Sequence, residues 1–366
     1  MDLVKHIFPT YTDNEYIQYL KKEEYESYYS TKNKYPYIVI ERLSMNTGNP
    51  TEGYEKVKRQ NVEDPFKPDP EIKKEASFTN KDYALMMSYG LSPGHNAPAG
   101  HHHTRPDIWE STFLYSNICP QEMTFNSGIW VLLENWCKFI SKKQKQHNFT
   151  NLRIITGSIP DKKTTPLKFG NSILNVNIPT HMFKIVVARS KLPEHNNKLF
   201  IGCFLYPNRP LDPMKPENRE LLNWLVPLPK LQELCEFNFE HIFKKYYGYE
   251  VDKFELLNIN ELIPVSFTLN KTFELQMLKS QWYGIIIYSK DLETLEKNWK
   301  LLQEHPILGK EDLQYHKEFY LLAKDKFNSY SANTNNNITP TEISMSSFNS
   351  NLNNDNNDNN DNNNDN

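Results

Sequence analysis

His95 stands among prolines and glycines in residues 92–100, which read SPGHNAPAG. Pro93, Gly94 and Pro98 restrict the backbone and permit tight turns, so a stiff loop presents the imidazole with little freedom. Rigid presentation suits a general base, whose nitrogen must lie within reach of the proton it takes. The same setting also suits a histidine packed or capping in a turn. Residues 112–138 read TFLYSNICPQEMTFNSGIWVLLENWCK. From Asn126 onward, Ile129, Leu132, Leu133, Trp136, Phe139 and Ile140 recur at steps of three and four, which predicts a helix with one core-facing stripe and Asn126 at its N-cap. Asn126, Trp130, Glu134 and Lys138 follow one another at steps of four, along another face. At a rise of ~1.5 Å per residue, Asn126 and Glu134 are ~12 Å apart along the axis, so both can flank one phosphodiester but cannot chelate one ion. Read blandly, the stripe is an N-cap asparagine followed by a solvated Glu–Lys pair.

The elements that must position these residues are legible in outline. Residues 14–34, rich in tyrosine, lysine and glutamate, read as a surface helix that ends before Pro36. Residues 37–43 follow as a β-branched strand. Prolines at 50, 65, 68 and 70 make 46–80 a long irregular connection, and long ordered loops tend to be functional. Residues 152–156, 181–188, 199–205 and 282–288 read as strands from their β-branched and aromatic content, while 231–247 and 292–327 read as helical, the latter broken at Pro306. The expectation is a mixed α+β domain without internal repeats.

Composition sets broad limits. The chain has 366 residues, enough for one large domain or two small ones, and a net charge of −3 that neither suggests nor excludes a polyanionic partner. Cys119, Cys137, Cys203 and Cys235 are scattered without CxxC pairs, so reduced thiols are expected rather than a zinc knuckle or a disulfide framework. No stretch approaches the ~20 apolar residues of a membrane span, and no membrane partner is expected. Residues 1–12 lack the apolar run of a signal peptide. Residues 1–34 contain no arginine and several glutamates, unlike a transit peptide, so an intracellular chain, cytoplasmic or nuclear, is expected. The last sixteen residues include eleven asparagines and four aspartates, a composition that cannot bury enough apolar surface to offset ordering entropy. Residues 329–366 are therefore read as a disordered tail without chemistry. The four aspartates of the last sixteen residues account for −4, so residues 1–350 carry +1.

Across residues 37–254 the chain resembles the DNA/RNA non-specific endonucleases, the ββα-metal nucleases of endonuclease G type. Their second motif, Ser-Asn-Ile-x-Pro-Gln then Asn-x-Gly-x-Trp-x-x-Leu-Glu, is matched by Ser116, Asn117, Ile118, Pro120 and Gln121, then by Asn126, Gly128, Trp130, Leu133 and Glu134. Their first motif, Asp-Arg-Gly-His before an Ala-Pro turn, is matched at Gly94, His95, Ala97 and Pro98. Ser92 and Pro93 replace its acid and arginine. Thr156-Gly157, residues 178–184 (IPTHMFK) and Pro207-Asn208 are further echoes in the right order.

The resemblance implies a central antiparallel sheet flanked by helices, with a ββα-metal motif that brings His95 to Asn126. It implies that His95 acts as general base and that Asn126 is the ligand of one Mg²⁺ or Mn²⁺ ion. Asn117 and Glu134 then orient the metal's waters or the phosphate, and Lys138 takes the place of a family arginine. Arg59, with Lys58 as its rival, takes the place of the upstream arginine. DNA and RNA are the implied substrates, read through their backbone alone, and a homodimer is the implied assembly. A mitochondrial location follows only from family analogy. On this reading residues 1–34 are a helical extension, 35–266 the nuclease domain and 267–328 a mostly helical extension. Losing the Asp-Arg pair removes transition-state charge stabilisation, at ~10² to 10³ in rate for one such donor, so a catalytically weakened or silent relative that binds nucleic acid or a protein is the alternative. His101, His102 and His103 form a run that can bind a metal or sit in a solvated loop.

Overall fold

The computed structural model describes residues 3–10, 17–57, 65–87, 90–161, 167–169, 172–174, 178–196, 198–211, 220–248, 257–258, 282, 286, 289, 291–304 and 309–333. Its strands in chain order are β1 (Ile17–Lys21), β2 (Tyr25–Ser30), β3 (Tyr35–Leu43), β4 (Leu91–His95), β5 (Ile118–Glu122), β6 (Phe149–Pro160), β7 (Leu167–Phe169), β8 (Ser172–Leu174), β9 (Pro179–Ser190), β10 (Leu199–Pro207), β11 (Leu225–Val226) and β12 (Leu257–Asn258). Eight of them form one sheet in the order β1-β2-β3-β6-β9-β10-β11, with β12 also on β10. All pairs are antiparallel except β10 with β12. The helices are α1 (Leu3–Ile7), α2 (Asn80–Met87), α3 (Pro106–Ser111), α4 (Met123–Phe125), α5 (Val131–Lys142), α6 (Leu228–Cys235), α7 (Glu240–Tyr247), α8 (Leu292–Gln303) and α9 (Lys310–Asn333). This is the α+β architecture expected, a large antiparallel sheet with flanking helices.

Alternation along the central strands divides the molecule into two faces. Phe183 turns toward Phe8, Tyr37, Phe237 and Phe239, which cover one face together with α1 and the chain around α6 and α7. Lys184, the next residue, turns to the opposite face and to Trp130 at the head of α5. Gly157 lies opposite Phe183, and a Cβ there would collide with the Phe183 ring and the Tyr37 carbonyl. Trp130, Trp136, Phe204 and Tyr206 fill the layer between sheet and α5. Each such side chain withdrawn from water contributes on the order of 1.5–3 kcal/mol.

Residues 14–34, expected to be helical, hold strands β1 and β2 instead. Tyr25, Tyr28 and Tyr29 are buried there and pair across to β3, so the aromatic content that sequence assigned to a surface helix serves a sheet edge. Residues 1–34 therefore hold the short helix α1 and the first two strands of the sheet rather than a helical appendage. Residues 231–247 are two helices, α6 and α7, separated by Glu236 in the left-handed region at φ +59°. Of the strand expected at 282–288, Trp282 and Ile286 are helical and the rest lie outside the described residues. They pack with Leu295, Leu302, Phe319, Tyr320 and Ala323 of α8 and α9 in a small core separate from that of the sheet. Helix α9 runs to Asn333; the remainder of the expected tail lies outside the described residues. No helix among the described residues is long and apolar enough to cross a membrane.

Candidate active site

Strands β4 and β5 form a separate two-stranded hairpin, with Leu91 opposite Glu122 and His95 opposite Ile118. Pro93 pairs with Pro120, and neither residue has an N–H to give to the ladder. Gly94 is required by its neighbour: a Cβ there would land on the Gln121 side chain, which crosses it diagonally. His95 ends the strand. Its ring meets Phe113 edge-on at 4.8 Å and Phe66 at 5.7 Å, so packing fixes the imidazole before any substrate arrives.

The chain leaves β5 directly into the helix. Glu122, not Asn126, is the N-cap: its carboxylate accepts from the Phe125 N–H at 2.8 Å and from the Thr124 hydroxyl at 2.7 Å. Asn126 instead opens the segment Asn126–Trp130, where Gly128 leaves helical geometry (φ −108°, ψ −109°) and kinks the chain between α4 and α5. A kink at glycine re-aims side chains relative to an unbroken helix. Asn126 donates its amide N–H to Ser92 Oγ at 3.0 Å, leaving Oδ1 as the atom to offer a cation. Ser92 lies three residues before His95, so Asn126 is tied to the strand that carries His95, at a point ~10 Å along the backbone from it. Gln121, fully buried, has no hydrogen-bond partner for either amide atom. Among the described residues no three His, Cys, Asp or Glu side chains converge to hold a metal. One amide oxygen with a second orphaned amide nearby fits a hard cation that keeps most of its waters, and does not fit a carboxylate cage.

The other expected site residues fall around this unit. Asn117 is buried, and its amide donates to the Ala97 and Thr112 carbonyls at 2.9 and 2.8 Å while accepting from the Ala97 N–H at 2.9 Å. It staples the loop after His95 to the turn before β5. Glu134, on α5, is half-buried. Burial pushes its carboxyl up to about 8, with Lys184 pulling it down and Glu41 pushing it further up. Lys138 lies against Gly48, which needs its positive φ of +79° and whose absent Cβ leaves room for the lysine. Arg59 and Lys58 lie outside the described residues.

The histidine run is neither solvated nor converged on a metal. All three residues are buried. His101 bridges Glu41 Oε2 and the Glu134 carbonyl, both at 3.0 Å, and His102 bridges Glu24 Oε2 at 2.7 Å and Glu41 Oε2 at 2.9 Å. Burial pulls the His102 imidazolium down, but hydrogen bonds to the two carboxylates outweigh it and raise it to about 9. Burial would likewise raise Glu41, yet His101 and His102 hold it well below the usual carboxylate range. Burial, reinforced by Lys56 and Lys138, pushes His103 down to about 4.

Lys184 is the group that sequence reading passed over. It is fully buried, donates to Thr156 Oγ1 at 2.7 Å and to the Asn96 carbonyl beside His95 at 3.3 Å, and lies 4.5 Å over the Trp130 ring. Its signal was a lysine inside the apolar run MFKIVV, just as Glu41 was an acid inside YIVIERL.

The profile of the family described as DNA/RNA non-specific endonuclease matches residues 2–244. Nuclease EXOG, mitochondrial, of Mus musculus is 33% identical over 150 residues, which are 39% of this chain and 38% of that protein. Nuclease C1 of Cunninghamella echinulata var. echinulata is 27% identical over 228 residues, 60% of this chain and 82% of that one. The mitochondrial nuclease of Saccharomyces cerevisiae is 28% identical over 225 residues, 58% and 62% of the two chains. The chain thus spans less than half the length of the mouse relative. A crystal structure of an EndoG/EndoGI complex aligns with a TM-score of 0.48 at 23% identity, over 65% of this chain and 91% of that one.

Proposed function

The chain belongs to the DNA/RNA non-specific endonuclease family, and on that premise we propose that it hydrolyses phosphodiester bonds of DNA and RNA without sequence specificity, dependent on a divalent metal. The observation that carries this reading is the ββα unit itself, with His95 clamped at the end of β4 and the Asn126 amide tied to Ser92 on the same strand.

In the proposed reaction, neutral His95 accepts a proton from water as that water attacks phosphorus, and the products carry 5′-phosphates. Asn126 Oδ1 holds the cation, which we assign as Mg²⁺ with Mn²⁺ as a substitute; when bound it neutralises charge on the leaving oxygen. Glu134 and Lys138 serve the water and phosphate side of the helix. Asn117 acts through the loop it staples, as a positioning residue. Lys184 holds the same loop from beneath, through its hydrogen bond to the Asn96 carbonyl. Contact with the backbone alone makes any sequence acceptable. The substrate is the only nucleic-acid partner assigned, and we add a homodimer as the assembly to test by sedimentation. The mitochondrial names of relatives make that organelle the compartment to test by localisation of the full chain.

A second reading, a weakened or silent relative, is favoured by the Pro93–Pro120 pair, which places no donor where the family pattern has an arginine. Purified protein incubated with plasmid DNA and with RNA, in Mg²⁺ or in EDTA, separates the two. Mg²⁺-dependent cutting of both substrates is expected. His95→Ala should lower the initial rate by ~10² to 10⁴ with an unchanged melting temperature. Retained binding without cutting would establish the silent relative, and comparable turnover in His95→Ala would remove the base assignment.

A further inference from the structure

At the turn of the β1–β2 hairpin lies a cleft of about 310 Å³ whose walls include Lys21, Arg42, Arg153, Thr47 and His102. Its carboxylates are already engaged. Glu23 takes both terminal nitrogens of Arg105 at 2.8 and 2.7 Å, Glu24 accepts from His102 at 2.7 Å and from the Thr104 hydroxyl, and Glu26 accepts from Tyr19 at 2.8 Å and pairs with Lys245. Lys22 is held between Asp69 at 2.7 Å and Glu71 at 2.6 Å. The remaining cations have no such partner: among the described residues no carboxylate lies within ion-pairing distance of Lys21, Arg42 or Arg153.

Two of these cations are set directly against each other. Arg42 on β3 is the cross-strand partner of Arg153 on β6. Like charges at directly opposed positions of an antiparallel pair are destabilising. Arg153 is held in place by stacking, its guanidinium 3.9 Å from the Tyr246 ring centre, and its Nε–H is buried without an acceptor. Burial lowers the affinity of this guanidinium for its proton; Arg42 adds to that, while Tyr247, Tyr246 and the Glu26 carboxylate of the same cleft oppose it. A fold that keeps two opposed guanidinium groups and an orphaned donor in one cleft is missing an anion with several acceptor oxygens, since planar forks pair bidentately with phosphate. The cleft volume falls in the range that holds a phosphate with its sugar.

The cleft adjoins the candidate active site through shared elements. Its lining residues Ser44, Asn46 and Thr47 lead to Gly48, over which Lys138 of α5 is laid, and His101 ties the same region to the Glu134 carbonyl. We propose that Lys21, Arg42 and Arg153 form a second phosphate subsite, remote from the scissile bond, which holds a backbone phosphate of the bound strand. This deepens the nuclease reading and rests on it. A free nucleotide offers the same chemistry and is the other source to distinguish.

Both Lys21 and Arg42 are exposed, so a Lys21→Gln/Arg42→Gln double variant changes charge with little effect on packing; Arg42→Gln/Arg153→Gln removes both guanidinium groups. In EDTA, where no strand is cut, fluorescence anisotropy of a labelled single-stranded oligonucleotide gives affinity as a function of salt. Every phosphate no longer neutralised makes the slope of log K against log salt shallower by ~0.7, so Lys21→Gln/Arg42→Gln, which strips the one phosphate of two of its three cations, should make it shallower by up to ~0.7 and weaken binding several-fold. Hydrolysis of a minimal phosphodiester too short to reach the cleft should be unchanged. Calorimetric titration with inorganic phosphate and with 5′-AMP forms the second arm. An unchanged oligonucleotide slope with loss of 5′-AMP binding would reassign the occupant to a free nucleotide. Unchanged behaviour of both variants in both arms would overturn the subsite. Absence of cutting and of oligonucleotide binding in the unmodified chain would defeat the nuclease reading, while the phosphate titration would still decide the cleft.

Discussion

Glu134 illustrates how a side chain's surroundings, rather than its type, set its chemistry. In the folded chain it keeps its proton up to about 8, whereas the free carboxyl releases it near 4.5. Folding therefore takes up a proton, and this group's contribution is complete below 4.5 and lost as pH rises through about 8. Glu134→Gln, which resembles the protonated form in shape, should lack that loss. Urea midpoints compared across this interval should fall more steeply for the unmodified chain than for the variant, and parallel curves would contradict the assignment. Cleavage by the variant should drop by ~10² if the ionised carboxylate serves the site. Glu134 was legible as a site candidate from its place in the second motif. Its buried state was not, because Lys184 and Glu41, the charges that bear on it, lie 50 and 93 residues away in the chain.

The elements around the site are held together by the chain His101–Glu41–His102–Glu24, which ties β3 to the loop after β4 and to the backbone of α5. Its pH window follows from the two shifts. His102, raised to about 9, contributes fully below 6.5 and loses its contribution as pH rises through about 9; Glu41, held low, contributes above 4.5 and is lost as pH falls. The stability advantage of the unmodified chain over His102→Gln should therefore shrink between pH 6.5 and about 9. Glu41→Gln, which removes the buried carboxylate that His102 shares with His101, should cost about 3–5 kcal/mol in urea denaturation. A loss under ~1 kcal/mol would show that the network is not charged. Sequence marked the run of histidines but offered a metal or solvent as its environment; the carboxylates that claim it come from positions 24 and 41. The helical reading of residues 14–34 failed for a related reason: tyrosine, lysine and glutamate suit either element, and the strand beside them decided.

For the whole molecule, the central division is between the large sheet with its two covered faces and the small separate core that Trp282, α8 and α9 build around the Trp299–Tyr320 stack. The Asn- and Asp-rich residues 334–366 carry almost no apolar side chains with which to join either core. Removing them should leave both the melting temperature and the initial cleavage rate unchanged. A loss of ~1 kcal/mol, or ~2–4 °C for a domain of this size, would show that the segment packs on the described part.

By itself the sequence determined the family and the helix that follows Asn126, because those depend on motif residues and an apolar period close together in the chain; the ββα unit with His95 and Asn126 was what the resemblance implied, and residues 92–95, read as part of a loop, are strand β4. Tertiary structure decided the rest. It moved the N-cap from Asn126 to Glu122, engaged the Asn117 amide with backbone, buried the histidine run, raised Glu134 and opposed Arg42 to Arg153. Burial and charge pairing are properties of neighbours in space, and those neighbours are fixed only when distant strands come into register.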